Sequence, residues 1–199
     1  MAITNGYCTL AQLKDALGIP QSDTQSDSSL ELAIESASRQ IDSHCERVFY
    51  QTTGATRVFA PSSYDYVEID DLITLTSLKT STDADGSYDQ TWTGNTYQLE
   101  PLNGRAGGIT TPYTAIRGVG DLIFPVTGQE ATVQVVGNFG WATTPTDIKF
   151  ASLILSGRLW KRFDSVLGVA GFGDLAVRVA RFDPDIEQLI GPYKRIRFA

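Results

Sequence analysis

Apolar residues recur at helical spacing near the start of the chain. Leu10, Leu13 and Leu17 form one stripe, which follows a capping box at Thr9–Gln12 and ends at Gly18. The pattern predicts a short amphipathic helix.

A second, longer apolar stripe follows another capping box at Ser28–Glu31. Its members are three or four residues apart: Leu30, Ile34, Ala37, Ile41, Cys45 and Val48. Four carboxylates lie off this stripe and predict an acidic exposed side: Glu31, Glu35, Asp42 and Glu46. Because Cys8 and Cys45 fall on faces predicted to be buried, we expect small core residues rather than a disulfide.

Between residues 55 and 143 the pattern changes to short β-prone runs separated by Gly, Pro, Asn and Asp. The predicted strands are Thr56–Ala60, Tyr66–Asp70, Leu75–Thr80 and Ala131–Val136. Asp83–Gly86 predicts a hairpin turn. A calcium loop is the alternative, but its sixth and twelfth positions hold Tyr88 and Gly94 instead of Gly and Glu.

Helical spacing returns at Thr144, with Pro145 at the first helical position. Apolar residues surround most of the helix that follows, so either the chain's own elements or a neighbouring copy must cover it. We favour partial cover by a neighbour. The residues assigned to this predicted interface are Ile148, Ala151, Leu155, Leu159 and Phe163.

A glycine-rich apolar loop spans residues 165–176, followed by a predicted strand at Val177–Phe182. The loop either packs on its own core or becomes ordered against another subunit, and exposure of so much apolar surface favours the second. Its predicted docking residues are Val166, Leu167, Val169, Phe172 and Leu175.

A short helix begins at Asp183–Pro184, carries Ile186 and Leu189, and stops at Gly191–Pro192. The end of the chain then alternates basic and bulky residues: Tyr193, Lys194, Arg195, Ile196, Arg197 and Phe198. We predict an extended tail over 192–199, with an unstructured basic end as the plainer alternative.

Charge separates the two ends of this 199-residue chain, whose net charge is −7. Residues 1–148 hold 7 basic and 18 acidic side chains, whereas residues 149–199 hold 9 and 5. This asymmetry predicts an acidic body with one end suited to an anionic partner. The sequence shows no transmembrane stretch and no signal peptide, so we expect folding in a cytoplasm and no membrane partner.

Catalytic and metal-binding signatures are weak. The single histidine, His44, lies beside Cys45 on a predicted helix, where adjacent side chains point about 100° apart, so it is interpreted as a solvated residue. No cluster has the spacing of a metal site or an acid/base pair. We therefore predict no enzyme activity, no catalytic residue, no cofactor and no metal.

The order of these motifs resembles that of the head-to-tail connector (adaptor, or head completion) proteins of long-tailed bacteriophages, above all those of phages of actinobacteria. Three segments in particular carry the likeness: Ile41–Tyr50, Val135–Trp141 before Pro145, and Leu159–Ser165. The glycine-rich loop and Asp183–Asp185 with Pro192–Tyr193 match the closing segments. The likeness covers both ends of the chain in order.

This resemblance implies an α+β fold. A small helical bundle is built from residues 1–54 and 144–191, an antiparallel β insertion spans 55–143, and the tail 192–199 is extended. It also implies a non-enzymatic ring, usually of twelve copies, between the portal and the stopper or tail in the virion neck. DNA would pass through the lumen without sequence-specific binding. The tail, from Tyr193 to Phe198, would grip the portal.

Two alternatives remain at this stage. Another neck protein, such as a stopper or tail-completion protein, would also form rings, although stoppers of that kind are mostly β. A ligand-binding β module or an enzyme is conceivable because Trp92, Tyr97 and Trp141 could stack on a ligand, but aromatic residues of this kind fit a sheet core equally well.

Overall fold

A computed structural model describes residues 3–82, 86–106, 108–128, 130–164 and 184–195. The chain divides into two compact units: a helical unit, Met1–Arg47 with Thr144–Ala199, and a β unit, Val48–Thr143. Helices from both ends of the sequence flank a β-rich middle, which confirms the predicted α+β class. Within the described ranges, no helix has the length and apolarity needed to cross a membrane.

The helical unit contains α1 (Leu10–Leu17), α2 (Asp27–Cys45), α3 (Thr146–Asp164), α4 (Pro184–Ile190) and a 3-10 helix (Gly191–Tyr193). The capping box of α1 is confirmed, because Thr9 Oγ1 accepts from Gln12 N and the Gln12 side chain accepts from Thr9 N. Gly18 ends α1 in the left-handed conformation, with φ 69°.

The predicted start of α2 is wrong. The helix begins at Asp27 after Ser26, which makes no side-chain capping bond. The reason is tertiary: Lys14 of α1 is 2% exposed, its Nζ donates to Asp23 O at 2.7 Å, and it forms an ion pair with Asp27. A buried ammonium needs both partners, so it fixes Asp27 in the first turn. The helix ends at Cys45, so Val48 lies beyond it.

Helices α2 and α3 pack against each other in antiparallel directions. Ser38 Oγ lies 3.4 Å from Ser152 Oγ, and Cys8 Sγ lies 3.8 Å from Ser156 Oγ. Around these small polar groups the core contains Leu13, Leu30 and Ile34, with Leu153 and Trp160 packed against it. Both cysteines are free and buried, as predicted.

The β unit is built on one antiparallel sheet in the order β1-β8-β2-β7-β4, with β3 paired to β2 and a separate β5-β6 hairpin. The strands are β1 (Thr52–Phe59), β2 (Tyr66–Thr80), β3 (Gln90–Thr91), β4 (Tyr97–Glu100), β5 (Arg105–Ala106), β6 (Ile109–Thr110), β7 (Tyr113–Gly118) and β8 (Val133–Phe139). Two of the predicted strands are parts of the single long β2. Its first part pairs with β7 and its later part with β8, with register shifts between them, so the strand bends around the core.

The predicted Asp83–Gly86 turn lies outside the described residues except for Gly86. That glycine has φ 84°, and the flanking strands β2 and β3 pair as an antiparallel hairpin. Among the described residues, no group of three His, Cys, Asp or Glu side chains is placed to hold a metal ion.

The last turn of the β unit depends on Gly140. This residue has φ 97°, and its N–H donates to Asp71 O at 2.7 Å. A Cβ built on it would lie 1.9 Å from Tyr50 O, so even alanine does not fit. The neighbouring Trp141 is buried and donates from Nε1 to Asp71 Oδ2 at 3.0 Å.

We expect Gly140→Ala to destabilise the protein by at least about 3 kcal/mol, because left-handed strain adds to a backbone clash. Gly54→Ala is the matched control: its φ is 63°, but a Cβ there meets nothing within 4 Å, so only about 1 kcal/mol is expected. Urea unfolding measures both values. If both substitutions lowered the free energy of unfolding equally, the clash between the new Cβ and Tyr50 O would have to be relieved by local movement, which would contradict the prediction.

Candidate assembly surface

Residues 184–195 are anchored to their own helical unit. Ile186, Ile190 and Tyr193 are at most 7% exposed. The Tyr193 hydroxyl donates to Asp147 Oδ2 at 3.1 Å, and Arg195 N donates to Cys45 O at 2.9 Å. The segment therefore ties the end of α2 to the start of α3.

This anchor corrects the predicted tail. Residues 192 and 193 belong to a 3-10 helix, and Tyr193 is buried, so the tyrosine is not available to grip another protein. Of the remaining tail residues, Lys194 is exposed and Arg195 is half-buried. Ile196, Arg197 and Phe198 lie outside the described residues.

Burial changes the acid–base properties of two groups at the anchor. Desolvation, assisted by a hydrogen bond to Asp147, raises the pKa of Tyr193 to about 12. Burial also raises the pKa of the Cys45 thiol to about 12, with a smaller contribution from Asp42. Both groups are neutral at physiological pH, and a neutral buried thiol is a poor nucleophile.

His44 is not simply solvated. Its Nε2 lies 2.9 Å from Glu187 Oε2 of α4, so the histidine takes part in holding α4 against α2. The neighbouring thiol is not paired with the imidazole: Cys45 Sγ donates to Ile190 O at 3.8 Å. We therefore interpret the contact between His44 and Glu187 as structural.

The N-terminal segment covers part of the predicted acidic side of α2. Glu35 Oε1 accepts from the backbone N–H groups of Thr4 and Asn5, and the Tyr7 hydroxyl bonds to Asp42. Arg39 Nε lies 2.8 Å from Asp42 Oδ2. Desolvation raises the pKa of Asp42, although these partners oppose the shift. The prediction of an exposed acidic side is therefore wrong for Glu35 and Asp42, which are bound by the N-terminal segment and Arg39.

The structure divides the apolar circumference of α3. Ile148 and Ala151 are completely buried inside their own subunit, so their assignment to a surface between copies is corrected. Leu155 and Leu159 are half-buried, and Phe163 is 76% exposed. Phe150, which the prediction omitted, is 53% exposed and lies on the opposite side of α3 from Ile148.

The predicted docking loop lies outside the described residues, together with its members Val166, Leu167, Val169, Phe172 and Leu175. The same holds for the predicted strand Val177–Phe182.

The aromatic residues considered for ligand stacking belong mainly to the core of the β unit. Trp92 is 4% exposed, stacks on Phe124 with ring centroids 4.5 Å apart, and donates to Thr80 Oγ1 at 3.0 Å. Trp141 is bound to Asp71, and Tyr97 packs on the same core as Trp92. The two tryptophans therefore cannot form a stacking platform.

Exposed apolar side chains are the remaining candidate for function. On the helices they are Leu32, Phe150 and Phe163. On the β unit they are Val58, Tyr64, Leu102, Val119 and Ile123. Leu32 was missed because it lies off the apolar stripe of α2; a separate inspection of off-stripe apolar residues would have found it.

Three solved structures with a similar fold are chains of GTA particles. A chain in the neck of an empty GTA particle with C6 symmetry matches with a TM-score of 0.60 and 16% identity, covering 100% of this chain and 95% of that chain. A chain in the neck of a native GTA particle with C12 symmetry has the same TM-score and identity, covering 100% and 94%. A chain of the virion of a native gene transfer agent (GTA) particle matches with a TM-score of 0.54, 16% identity and coverage of 100% and 95%.

No protein-family model matches this sequence, and no curated protein matches it. At 16% identity, the likeness to the solved structures establishes a shared fold.

We expect Tyr193→Phe to lower the free energy of unfolding by about 1 to 3 kcal/mol at pH 7, because Asp147 loses a buried partner. The folded-state pKa of about 12 lies above the ordinary value of 10.0, so the neutral phenol stabilises the fold below pH 10. This stabilisation is lost as the pH rises from about 10 to about 12.

The advantage of the wild type over Tyr193→Phe should therefore shrink across that window, by at most about 1.4 kcal/mol per pH unit. Urea unfolding of both proteins at pH 7, 9 and 11 measures it, and the contribution of Cys45 cancels because both proteins carry it. A difference that stays constant with pH would contradict the assignment.

Proposed function

We propose that this protein is a structural subunit of the neck of a phage-like particle, where it forms a ring as a head-to-tail adaptor. The observation that carries this proposal is the fold match over 100% of this chain and 94–95% of two neck chains. A match of that extent includes the order of helices and β insertion and not only a common substructure. The motif resemblance in the sequence points to the same class independently.

The ring lies between the portal and the stopper or tail, and twelve copies are the number we favour, since one of the matched necks has C12 symmetry. DNA passes through the lumen without sequence-specific binding. The net charge of −7 supports this, because an acidic body repels phosphates and does not hold a passing duplex. The protein acts without catalysis, cofactor or metal, and it is assembled in the host cytoplasm.

The C-terminal anchor limits which residues we assign to the contact with the portal. Because Tyr193 is buried and bound to Asp147, the contact with the portal is assigned to side chains that follow this tyrosine. We assign the grip on the portal to Lys194 and Arg195 side chains with Ile196, Arg197 and Phe198. The loop 165–176 is assigned as a second docking element.

Deleting residues 196–199 tests this assignment. We expect a soluble protein with unchanged thermal unfolding, because the anchor remains, but binding to DNA-filled heads reduced at least tenfold. Arg and aromatic anchors often contribute about 2 kcal/mol each, and a ring multiplies the loss per copy. Cosedimentation with filled heads measures binding, and electron microscopy shows whether DNA is retained and tails attach.

The matched control replaces residues 196–199 with Gly-Ser-Gly-Ser, which keeps the length and removes the side chains. It should fail like the deletion. Normal binding of either variant to filled heads would show that the portal contact lies outside residues 196–199. Binding of the wild-type ring to tails instead of heads would favour the stopper or tail-completion role.

A further inference from the structure

The outer side of α2 carries an exposed leucine among mostly uncharged side chains. Successive helical residues are 100° apart, so the side opposite the buried Ile34 and Cys45 presents Leu32, Ser36, Gln40 and Ser43, here called the α2 outer face, with Arg39 at its edge. Leu32 is 54% exposed, and Gln40 and Ser43 are exposed as well. Glu35 and Asp42 lie on another side of α2, and Arg39, at the edge of the outer face, pairs with Asp42 and donates to Asn5 O.

The outer side of α3 carries an exposed aromatic ring. Opposite the buried Ile148 and Ser152, this helix presents Phe150, Ile154 and Lys161, here called the α3 outer face; it borders Gly157, where a built Cβ would lie 3.7 Å from Leu17 Cδ2 of α1. Because the buried faces of α2 and α3 pack on each other, the two outer faces point to opposite sides of the helical unit.

The two helices also have opposite charge. Counting Asp, Glu, Lys and Arg, helix α2 holds four acidic residues and one basic residue, a net charge of −3, which the ion pair of Asp27 with Lys14 of α1 reduces to −2. Helix α3 holds two acidic and four basic residues, a net charge of +2. An α2 and an α3 from different copies would therefore attract each other, and two α2 helices would repel.

We infer that the α3 outer face of one copy docks on the α2 outer face of the next. The inference rests on the proposed ring. A closed ring joins two different faces of each subunit head to tail, and these faces must lie on opposite sides. The outer faces of α2 and α3 meet both conditions: one presents the large Phe150, and the other presents Leu32 among Ser36, Gln40 and Ser43.

Substituting lysine separately on each face tests the pairing. Phe150→Lys and Leu32→Lys are at exposed helix positions, so both proteins should fold, and each alone should lose the ring and sediment as a monomer of 21.7 kDa. Mixed in equal amounts, they should form a complex of two copies and nothing larger. Each mixed pair has one intact contact, and its two free faces are the substituted ones.

Ile123→Lys is the matched control, because Ile123 is an equally exposed apolar residue, 59%, of the β unit. It should form the wild-type ring. The inference is overturned if either helix variant forms rings, if the mixture stays monomeric, or if Ile123→Lys abolishes the ring. Sedimentation velocity measures all four samples.

Cross-linking tests the contact between the α2 and α3 outer faces on filled heads. It applies even if the wild-type protein is monomeric when free in solution. The double variant Leu32→Cys with Phe150→Cys, treated with a bismaleimide on filled heads, should give a ladder of multiples of 21.7 kDa. Each single cysteine variant should give no ladder, since Cys8 and Cys45 are buried. Head binding without a ladder refutes this interface alone, whereas rings that never bind heads refute the adaptor function alone.

Discussion

The packing of α2 on α3 is the contact on which the rest of the helical unit depends. It joins segments 114 residues apart in sequence, as the Ser38–Ser152 contact shows. Closing so long a loop costs entropy that burial must offset. The β unit reduces this cost by holding its own two ends together: Phe49 and Trp141 have ring centroids 5.4 Å apart. The insertion thus behaves as a closed loop between two helices.

The same packing determines which surfaces remain for assembly. A helix that buries one side in its own subunit can offer only the opposite side to a partner, so the apolar excess of α3 serves two purposes. Ile148 and Ala151 stabilise the subunit, and Phe150 is left exposed. The anchor formed by α4 and Tyr193 lies at the end where α2 stops and α3 starts, and it holds these two helix ends together.

Local signals were predicted well and tertiary ones were not. The Thr9 capping box and the end of α1 at Gly18 depend on neighbouring residues, so the sequence contains them in full. The start of α2 depends on Lys14, and the burial of Tyr193 depends on Asp147, 46 residues away. Periodicity also showed that α3 is apolar on nearly every side, but it carries no information on which neighbour covers each side.

The structure divides the basic residues of the C-terminal third between α3 and the end of the chain. The basic C-terminal third was first explained by one anionic partner, yet four of its nine basic residues lie on α3: Lys149, Arg158, Lys161 and Arg162. In the proposed ring, these basic residues would offset repulsion between neighbouring copies, because identical acidic bodies repel one another unless each presents a basic face to its neighbour. Of the other five, Lys194, Arg195 and Arg197 follow the Tyr193 anchor and are the ones proposed for the portal contact. In the proposed ring, the acidic α2 and the basic α3 would set how adjacent copies face each other, and the end of the chain would set the position of the ring on the head.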